Sequence, residues 1–320
     1  MKIKHLIITL LLASLTFSAL AQSTGESKKE IIKTGYNFGP LPAVAFDADK
    51  GFQLGALLNI YDFGDGSTYP NPRQQWYFEA SFFTKGSQLY TISYDNRFLI
   101  PGVRLSSTFT LTNDKAMDFY GFNGYASPYM PGYLFPAIIG VPLADDATSA
   151  FYWMRRNQFR LVTSVQRRIT GNLHWAAGFG YYNIQTGNIK LEGYQDQETL
   201  YSLYQRYGLI RENEAHGGNV LQFKAGLVYD TRDHDSDPTR GVNIEATLVG
   251  APDIIDRAGY SNLGFTFVGS HYVPVWKDKL TFAYRLGIQS NLAGEIPYYF
   301  INNLNTLFFR KVYTEGLGGN

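Results

Sequence analysis

Apolar and polar residues alternate along most of this chain, and one clear example begins at Val220. Its apolar positions are Leu221, Phe223, Ala225, Leu227 and Tyr229, and its polar or small positions are Gln222, Lys224, Gly226 and Asp230. Because successive side chains of a β-strand point to opposite faces, this pattern predicts a strand with one apolar and one polar face. The alternation resumes after Gly241, where Val242, Ile244, Ala246 and Leu248 oppose Asn243, Glu245 and Thr247.

The segment between these two runs is rich in residues that form turns. They are Asp230, Asp233, Asp235, Asp237, Pro238 and Gly241. Aspartate side chains bond to nearby backbone amides, proline fixes φ, and glycine tolerates a positive φ. The two runs and their connection therefore predict a long antiparallel hairpin.

The same alternation elsewhere predicts eleven strands and an all-β fold. They are Leu41–Asp47, Phe52–Phe63, Trp76–Lys85, Gln88–Phe98, Val103–Asn113, Phe151–Ile169, Leu173–Ile184, the two strands that flank the Asp-rich hairpin, Asn262–Val275 and Leu280–Ser290.

Composition narrows the class of all-β protein. Aromatic residues make up 16% of the chain and charged residues only 17%, whereas a soluble protein carries about 25% charged residues. In an outer-membrane barrel every backbone polar group is paired within the closed sheet, and aromatic residues line the membrane interfaces. The sequence therefore predicts an antiparallel transmembrane β-barrel. The net charge of +1 gives no indication of nucleic-acid binding.

The N-terminus has the pattern of a secretory signal peptide. Lys2 and Lys4 precede the largely apolar stretch Leu6–Leu20, and Ala19–Ala21 is a small-x-small cleavage site. The apolar stretch is shorter than the roughly 20 residues of a membrane-spanning helix. We predict a signal peptide over residues 1–21, a short periplasmic tail over residues 22–35, and barrel sequence over residues 36–320. The chain has no cysteine, which excludes a lipoprotein anchor and disulfides.

Connection lengths predict the orientation of the strands. The connections after even-numbered strands are mostly short, whereas those after odd-numbered strands include the long segments Asp114–Ala150, Gln185–Gly217 and the one that begins at Asn291. Outer-membrane barrels have short periplasmic turns and long extracellular loops. We therefore expect odd-numbered strands to run outward and the Asp-rich hairpin to lie on the periplasmic side.

Three stretches carry a resemblance to a known family. The first is Tyr229, Asp230, Thr231, Arg232 and Asp233, followed by Asp237, Pro238, Thr239, Arg240 and Gly241; the others are Pro42–Gly55 and the lead-in Gly316, Leu317, Gly318 and Gly319, which precedes Asn320. They resemble the BamA/TamA superfamily of outer-membrane barrels, also called the bacterial surface antigen family. The resemblance extends from about Tyr36 to Asn320.

The resemblance implies a sixteen-stranded barrel, of which this chain holds about eleven strands. Relatives usually carry periplasmic POTRA domains before the barrel, and the chain resembles the POTRA-less type. The family's Arg-Gly-Tyr/Phe loop signature is expected to begin where the sequence stops. We therefore expect a fragment that lacks roughly 100 residues, at about 9–11 residues for each missing strand plus loops.

The resemblance also implies a role in inserting or translocating outer-membrane proteins or surface components. Such barrels are thought to open at a weak seam between the first and last strands, and an unpaired edge can template an incoming strand. The first predicted strand, Leu41–Asp47, is short and interrupted by Pro42, which suits a weak seam or an ordinary frayed start. The implied partners are outer-membrane lipid and periplasmic or outer-membrane assembly proteins. The alternative is a non-catalytic channel or binding barrel.

Two chemical interpretations compete with a structural role for the hairpin and the histidines. Asp233, Asp235 and Asp237 alternate as calcium ligands do, but the glycine and glutamate of an EF-hand loop are missing, which favours turn-fixing aspartates. The four histidines after the signal peptide are His174, His216, His234 and His271, and none lies in a recognisable catalytic motif. We expect no enzyme activity, metal or cofactor.

The remaining candidates concern the two faces of the barrel. The charged residues expected on the lumen face are Glu79, Asp95, Arg104, Arg160, Lys224, Glu245 and Arg285; a wet lumen accommodates such residues without any special role, and holding a loop or substrate is the alternative. The aromatic residues expected at the membrane interfaces are Trp76, Tyr77, Trp153, Trp175 and Trp276. The aromatic loop Asp114–Ala150 is expected to cap the barrel or to bind an external partner.

Overall fold

A computed structural model describes residues 32–47, 50–121, 149–194, 198–234, 237–276 and 279–300. The chain divides into two units between Lys33 and Thr34, and all the described strands lie in the second unit. The predicted signal peptide, most of the loop predicted over Asp114–Ala150, and the lead-in Gly316–Gly319 lie outside the described residues.

Eleven antiparallel strands form one sheet, in which each strand pairs with its neighbours in sequence. They are β1 (Tyr36–Asp47), β2 (Gly51–Asp62), β3 (Gln74–Phe83), β4 (Gln88–Ile100), β5 (Val103–Asp118), β6 (Trp153–Thr170), β7 (Leu173–Gly187), β8 (Gly217–Asp230), β9 (Gly241–Ala251), β10 (Asn262–Trp276) and β11 (Leu280–Gly294). The prediction of eleven antiparallel strands is confirmed for the described part of the chain. There, β1 and β11 are the two end strands of the sheet.

Several predicted strand ends were wrong, because pairing continues where alternation fades. β1 begins at Tyr36 rather than Leu41, and it pairs with β2 along its whole length. β5 continues to Asp118 rather than Asn113, after an irregularity between Asp114 and Met117. Around that irregularity the neighbours Ala116 and Met117 are both buried, so the residues no longer follow a two-residue period. This extension takes five residues from the predicted loop Asp114–Ala150.

The two faces of the sheet differ in a way that suits a membrane. Trp175, Leu227, Ala246, Phe267 and Ile288 form one row across five strands, and several of them are exposed. The opposite face carries buried polar side chains, among them Glu79, Thr91 and Thr110. An apolar outer face and a polar inner face are the pattern of a transmembrane β-barrel. None of the helices in the described ranges is long and apolar enough to cross a membrane.

The apolar core lies at the end of the sheet that carries the long connections, which we call the long-loop end. Its buried members include Met117, Phe119, Met154, Tyr182, Ile184, Tyr201, Ile210, Val220, Ala251, Tyr298 and Tyr299. A short helix, α1 (Leu200–Arg206), contributes Tyr201 to this core. Thr199 caps α1, since the Ser202 amide donates to Thr199 Oγ1 at 3.1 Å and Ser202 Oγ accepts from the Thr199 amide at 3.0 Å.

A hydrogen-bonded cluster fastens the segment after β11 beneath α1. The Tyr298 amide donates to the buried Glu214 carboxylate at 2.9 Å, and the Tyr298 hydroxyl lies 2.6 Å from Thr186 Oγ1. Tyr201 donates from its hydroxyl to the carbonyl of Ala215. Burial raises the pKa of Tyr298 above its ordinary value, so the phenol stays neutral and keeps its proton for hydrogen bonding.

Close packing of neighbouring strands explains why position 226, on the inner face of β8, is a glycine. A Cβ at Gly226 in β8 would lie 2.2 Å from the carbonyl oxygen of Ala246 and 2.8 Å from Thr247 Cα. Both contacts are with backbone, which cannot move without disturbing the β8–β9 ladder. Gly250 in β9 offers the opposite case, because a Cβ there would meet only Leu263 Cδ1 at 3.9 Å.

We therefore expect Gly226→Ala to destabilise the barrel by about 1–3 kcal/mol through overpacking. The measurement is the temperature at which the folded barrel loses its compact migration on semi-native gel electrophoresis. Gly250→Ala is the matched control and should leave that temperature unchanged or slightly raised. Equal effects of the two substitutions would contradict the packing explanation.

Candidate functional site

The hairpin between β8 and β9 is closed by hydrogen bonds on both sides of Thr231. The Thr231 amide donates to the Val242 carbonyl at 2.8 Å, and the Val242 amide donates to Thr231 Oγ1 at 2.9 Å. Gly241 has a φ of +105°, and a Cβ there would lie 2.4 Å from the Thr231 carbonyl oxygen. The last residue of the motif is thus glycine because no side chain fits this conformation or this approach.

The carboxylate of Asp233 organises the connection. It accepts hydrogen bonds from the amides of Thr239 at 2.9 Å, His234 at 3.0 Å and Arg240 at 3.3 Å, and from the Thr239 hydroxyl. Desolvation raises the pKa of Asp233, but the hydrogen bonds, of which the one from the Thr239 hydroxyl is the strongest, outweigh it. The pKa of this carboxyl therefore lies well below its ordinary value.

Asp230 and Arg232 form a second local pair in the motif. Arg232 Nε donates to Asp230 Oδ1 at 2.9 Å, and Nη2 donates to Oδ2 at 2.7 Å, which is a two-point fork. The side chain of Arg232 is only 7% exposed. The hydrogen bonds from Arg232 to Asp230 raise the pKa of the guanidinium, so it stays charged. This pair fixes the exit of β8.

These contacts favour the turn-fixing interpretation of the aspartates over calcium. The oxygens of Asp233 are already bonded to donors of the hairpin itself, Asp237 is exposed, and Asp235 lies outside the described residues. In the part of the chain that the structure describes, no group of three or more His, Cys, Asp or Glu side chains is placed to hold a metal ion. Tyr229, which precedes the hairpin, faces outward and is exposed.

The strand register places all seven predicted lumen residues on the inner face. Glu79 and Arg160 belong to one row that also contains Thr91 and Thr110. Asp95 and Lys224 belong to another row, through Ser106 and Ser164. Arg104, Glu245 and Arg285 occupy the same face by register. The prediction of this face is therefore confirmed.

Charges on the inner face are held by neighbours on the same face. Glu79 is 7% exposed and accepts hydrogen bonds from the hydroxyls of Tyr77 and Ser81. Asp95 accepts from Arg104 Nε at 2.9 Å. These contacts give the inner wall a fixed pattern of charge rather than loose, solvated side chains.

Two of the five predicted interface aromatics were wrong. Tyr77 faces inward and donates to Glu79, and Trp153 is 5% exposed because it packs in a second buried cluster beside Tyr194. Trp76, Trp175 and Trp276 do lie on the exposed side, and Trp276 is 63% exposed. All three lie at the end of the sheet with the short connections, which we call the short-turn end. Residue type alone did not reveal which face or end each aromatic would occupy.

The histidines have unrelated surroundings. His174 is on the inner face of β7, with Nδ1 3.2 Å from the Asn172 carbonyl oxygen. His271 is on the outer face of β10, with Nδ1 2.7 Å from the Tyr284 hydroxyl. His216 immediately precedes β8, and His234 lies in the hairpin. The structure does not bring the four histidines together.

The sequence-based prediction for the first strand, β1, was wrong. β1 was expected to be short and interrupted by Pro42, but it pairs with β2 over twelve residues without a break. Among the described residues no strand pairs with its other edge, which we call the outer edge of β1. The Phe63 amide donates to the Gly35 carbonyl at 2.9 Å, which continues the β1–β2 register.

This hydrogen bond shows which backbone groups of β1 face β2 and which face the outer edge. Hydrogen-bonded and non-hydrogen-bonded positions alternate along an antiparallel ladder, so odd positions of β1 bond to β2 and even positions face the outer edge. Pro40 and Pro42 are both even. Proline lacks an N–H, and here the missing donors belong to the outer edge, so the ladder with β2 remains complete.

We expect Asp233→Asn to loosen the hairpin at neutral pH, because it weakens the acceptor that holds Thr239 and Arg240. Amide exchange over residues 231–242, measured by mass spectrometry, should become faster. Because the folded-state pKa is depressed, the stabilisation is present above the unfolded value of about 3.9 and is lost as the pH falls below it. The wild-type hairpin should therefore loosen only in acid.

Asp237→Asn is the matched control for this experiment. Asp237 is exposed in the same hairpin, so its substitution should leave the exchange rates unchanged. An Asp233→Asn hairpin that exchanges as slowly as the wild type at pH 7 would show that the carboxylate does not organise the turn.

Comparisons with known proteins test the resemblance to the BamA/TamA superfamily. No curated protein matched the chain. Among solved structures, the crystal structure of BamA from Haemophilus ducreyi lacking POTRA domains 1–3 is similar, with 14% sequence identity and a TM-score of 0.46. The similarity covers 83% of this chain and 43% of that one, so this chain spans less than half of its length. The sequence model of the Omp85 superfamily domain matches residues 71–308, which is most of the sequence. The resemblance to the BamA/TamA superfamily is thereby confirmed, and the chain belongs to the Omp85 superfamily.

Proposed function

We propose that this protein is an outer-membrane barrel that assists the insertion or translocation of outer-membrane proteins or surface components. In this proposal the outer edge of β1 opens and pairs transiently with an incoming strand. The observation that supports it is the placement of Pro40 and Pro42 on that edge. The hairpin at Asp233 then lies on the periplasmic side, and the partners are membrane lipid and assembly proteins.

The prolines weaken the outer edge at its centre. The backbone positions that face this edge are Tyr36, Phe38, Pro40, Pro42, Val44 and Phe46. All six retain a carbonyl acceptor, but the two central positions have no donor. A strand that closes the barrel against β1 therefore lacks two hydrogen bonds in the middle of its ladder.

The membrane increases the cost of these missing bonds. Phe38, Val44 and Phe46 on the same strand are exposed on the outer face, which places this part of β1 against lipid. In lipid no water replaces a missing partner, and each unsatisfied backbone group costs several kcal/mol. The strand that closes the barrel against β1 would have two carbonyl groups opposite Pro40 and Pro42 without a donor. A closed seam is therefore less stable than any other strand pair and opens more readily.

The same edge is suited to reversible pairing. An incoming strand finds N–H donors at four of the six positions and carbonyl acceptors at all six. It therefore binds without forming a complete, permanent ladder. The β1–β2 ladder is complete at the same time, so the barrel frame keeps its structure while the edge exchanges partners.

Replacement of both prolines should strengthen the seam and slow the activity. Pro40→Val with Pro42→Val restores two donors, each worth at least the net contribution of about 0.5–1.5 kcal/mol that a hydrogen bond makes where water competes. This sum corresponds to a shift of roughly five-fold to more than a hundred-fold towards the closed state. The measurement is the rate at which protein-containing liposomes fold a denatured outer-membrane protein, compared with the thermal stability of the barrel itself.

Two control variants separate the edge from a general effect of proline. Pro274→Val replaces a strand proline in β10, away from the outer edge, and should leave the rate unchanged. Ala43→Pro places a proline at an odd position, where it removes a bond to β2, and should destabilise the fold. A more stable double variant that retains the full rate would rule out a role for the edge. A wild type that conducts ions but folds no client would favour the channel alternative.

A further inference from the structure

The short-turn end of the inner face contains a cavity of about 580 Å³. It is lined by Arg97, Gly102, Val103, Arg104, Gln166, Arg167, Arg168, His174, Asp230 and Arg232. These residues come from β4 to β8 and from the hairpin that follows β8. The curvature of the sheet brings Arg97 close enough to Asp230 and Arg232 to interact with them electrostatically. One concave surface is therefore assembled from five strands.

The charge of this cavity is strongly biased. Five arginines and one aspartate line it, and Asp95 lies behind the lining, 2.9 Å from Arg104 Nε and 4.0 Å from Arg97 Nε. Asp230 is already bonded by the fork of Arg232. Glu245 is a third carboxylate that interacts electrostatically with Arg232. Three carboxylates thus face the four guanidinium groups of the inner side, and Arg167 adds a fifth guanidinium at the rim. The remaining excess of positive charge lies at a concave site, where it attracts anions.

Three of the arginines, Arg104, Arg167 and Arg168, occupy paired positions of the strands, and Arg232 is held by its fork with Asp230. Arg104 and Gln166 face each other in the β5–β6 ladder, and Arg168 faces His174 in the β6–β7 ladder. Arg167 lies on the outer face by register, directly beside Arg168 at the rim. The basic surface therefore continues from the cavity to the membrane-facing side of the rim.

The chemistry of the lining selects among anions. Every cation in the lining is an arginine, whose planar fork matches the oxygens of a phosphate group in two-point hydrogen bonds. Gln166 and His174 add neutral polar groups beside them. A volume of about 580 Å³ falls in the range of small-molecule sites, so it accommodates a headgroup-sized ligand rather than a single small ion.

We propose that this cavity binds a phosphate-bearing ligand. The phosphate is either that of a lipid headgroup, which reaches the cavity past Arg167 at the rim, or that of a free solute such as pyrophosphate. The binding site is separate from the outer edge of β1, so the proposal stands whether or not that edge receives client strands.

The test uses the full chain in zwitterionic nanodiscs and titrates it with inorganic pyrophosphate by calorimetry. Arg168→Gln and Arg97→Gln should each weaken binding by about ten-fold or more, because a lost hydrogen bond to a charged group has an effect of that size. Arg206→Gln is the matched control, since Arg206 is exposed on α1 at the opposite end of the molecule and pairs there with Glu198. Its affinity for pyrophosphate should equal that of the wild type.

A second arm identifies the source of the phosphate. Native mass spectrometry of barrels extracted from membranes that contain phosphatidic acid and phosphatidylcholine should show retained phosphatidic acid for the wild type and loss of it for Arg168→Gln, if the ligand is a lipid. Binding of pyrophosphate without lipid retention indicates a soluble ligand. Migration of the folded barrel on semi-native gels confirms that each variant is intact.

Three results would overturn the proposal. One is a folded wild type that does not bind pyrophosphate or retain phosphatidic acid. Another is equal affinity of the Arg168→Gln, Arg97→Gln and Arg206→Gln variants. The third is binding of a hexaglutamate peptide in place of pyrophosphate, which would assign the cavity to an acidic protein segment instead.

Discussion

The requirement that every backbone N–H and C=O find a partner inside the membrane governs this structure. Strands β2 to β10 meet it by pairing on both sides, and this accounts for the consecutive strand order. Close packing of the ladders also explains why glycine is required at Gly226. The same requirement makes the outer edge of β1 the most consequential part of the molecule, because there two donors are missing from the chain itself.

The molecule combines a stiff frame with a weak edge. At the short-turn end the β8–β9 hairpin is locked by the Asp233 carboxylate and by the Asp230–Arg232 fork. At the long-loop end α1 and Tyr298 close a buried core over the strands. Both reinforcements involve strands in the second half of the sheet, whereas Pro40 and Pro42 lie in the first strand. In the order of the sheet, the missing donors therefore lie away from both reinforcements.

Alternation was sufficient to locate the eleven strands and the inner face, because the two-residue period is set by the strand itself. The strand ends were harder, since pairing at Tyr36 and at Asp118 depends on the neighbouring strand rather than on local pattern. Tyr77 and Trp153 were misplaced because an aromatic residue suits a membrane interface, an inner wall or a core equally well. The role of Pro40 depends on its odd or even position in the β1–β2 register, which only the paired structure defines. The basic cavity brings together residues from β4 to β8, so no single local motif predicts it.

The fastening of Tyr298 beneath α1 has a consequence for the order of folding. Its amide bonds to Glu214, 84 positions earlier in the chain, and its hydroxyl contacts Thr186, 112 positions earlier. Contacts between such distant positions carry a large loop-closure entropy and form only after the intervening segments have been brought together. The strands β8 to β11 lie between these partners, so the hydrogen-bonded cluster around Tyr298 forms after those strands have paired. A nascent barrel thus stays open at its long-loop end until this half of the wall is built.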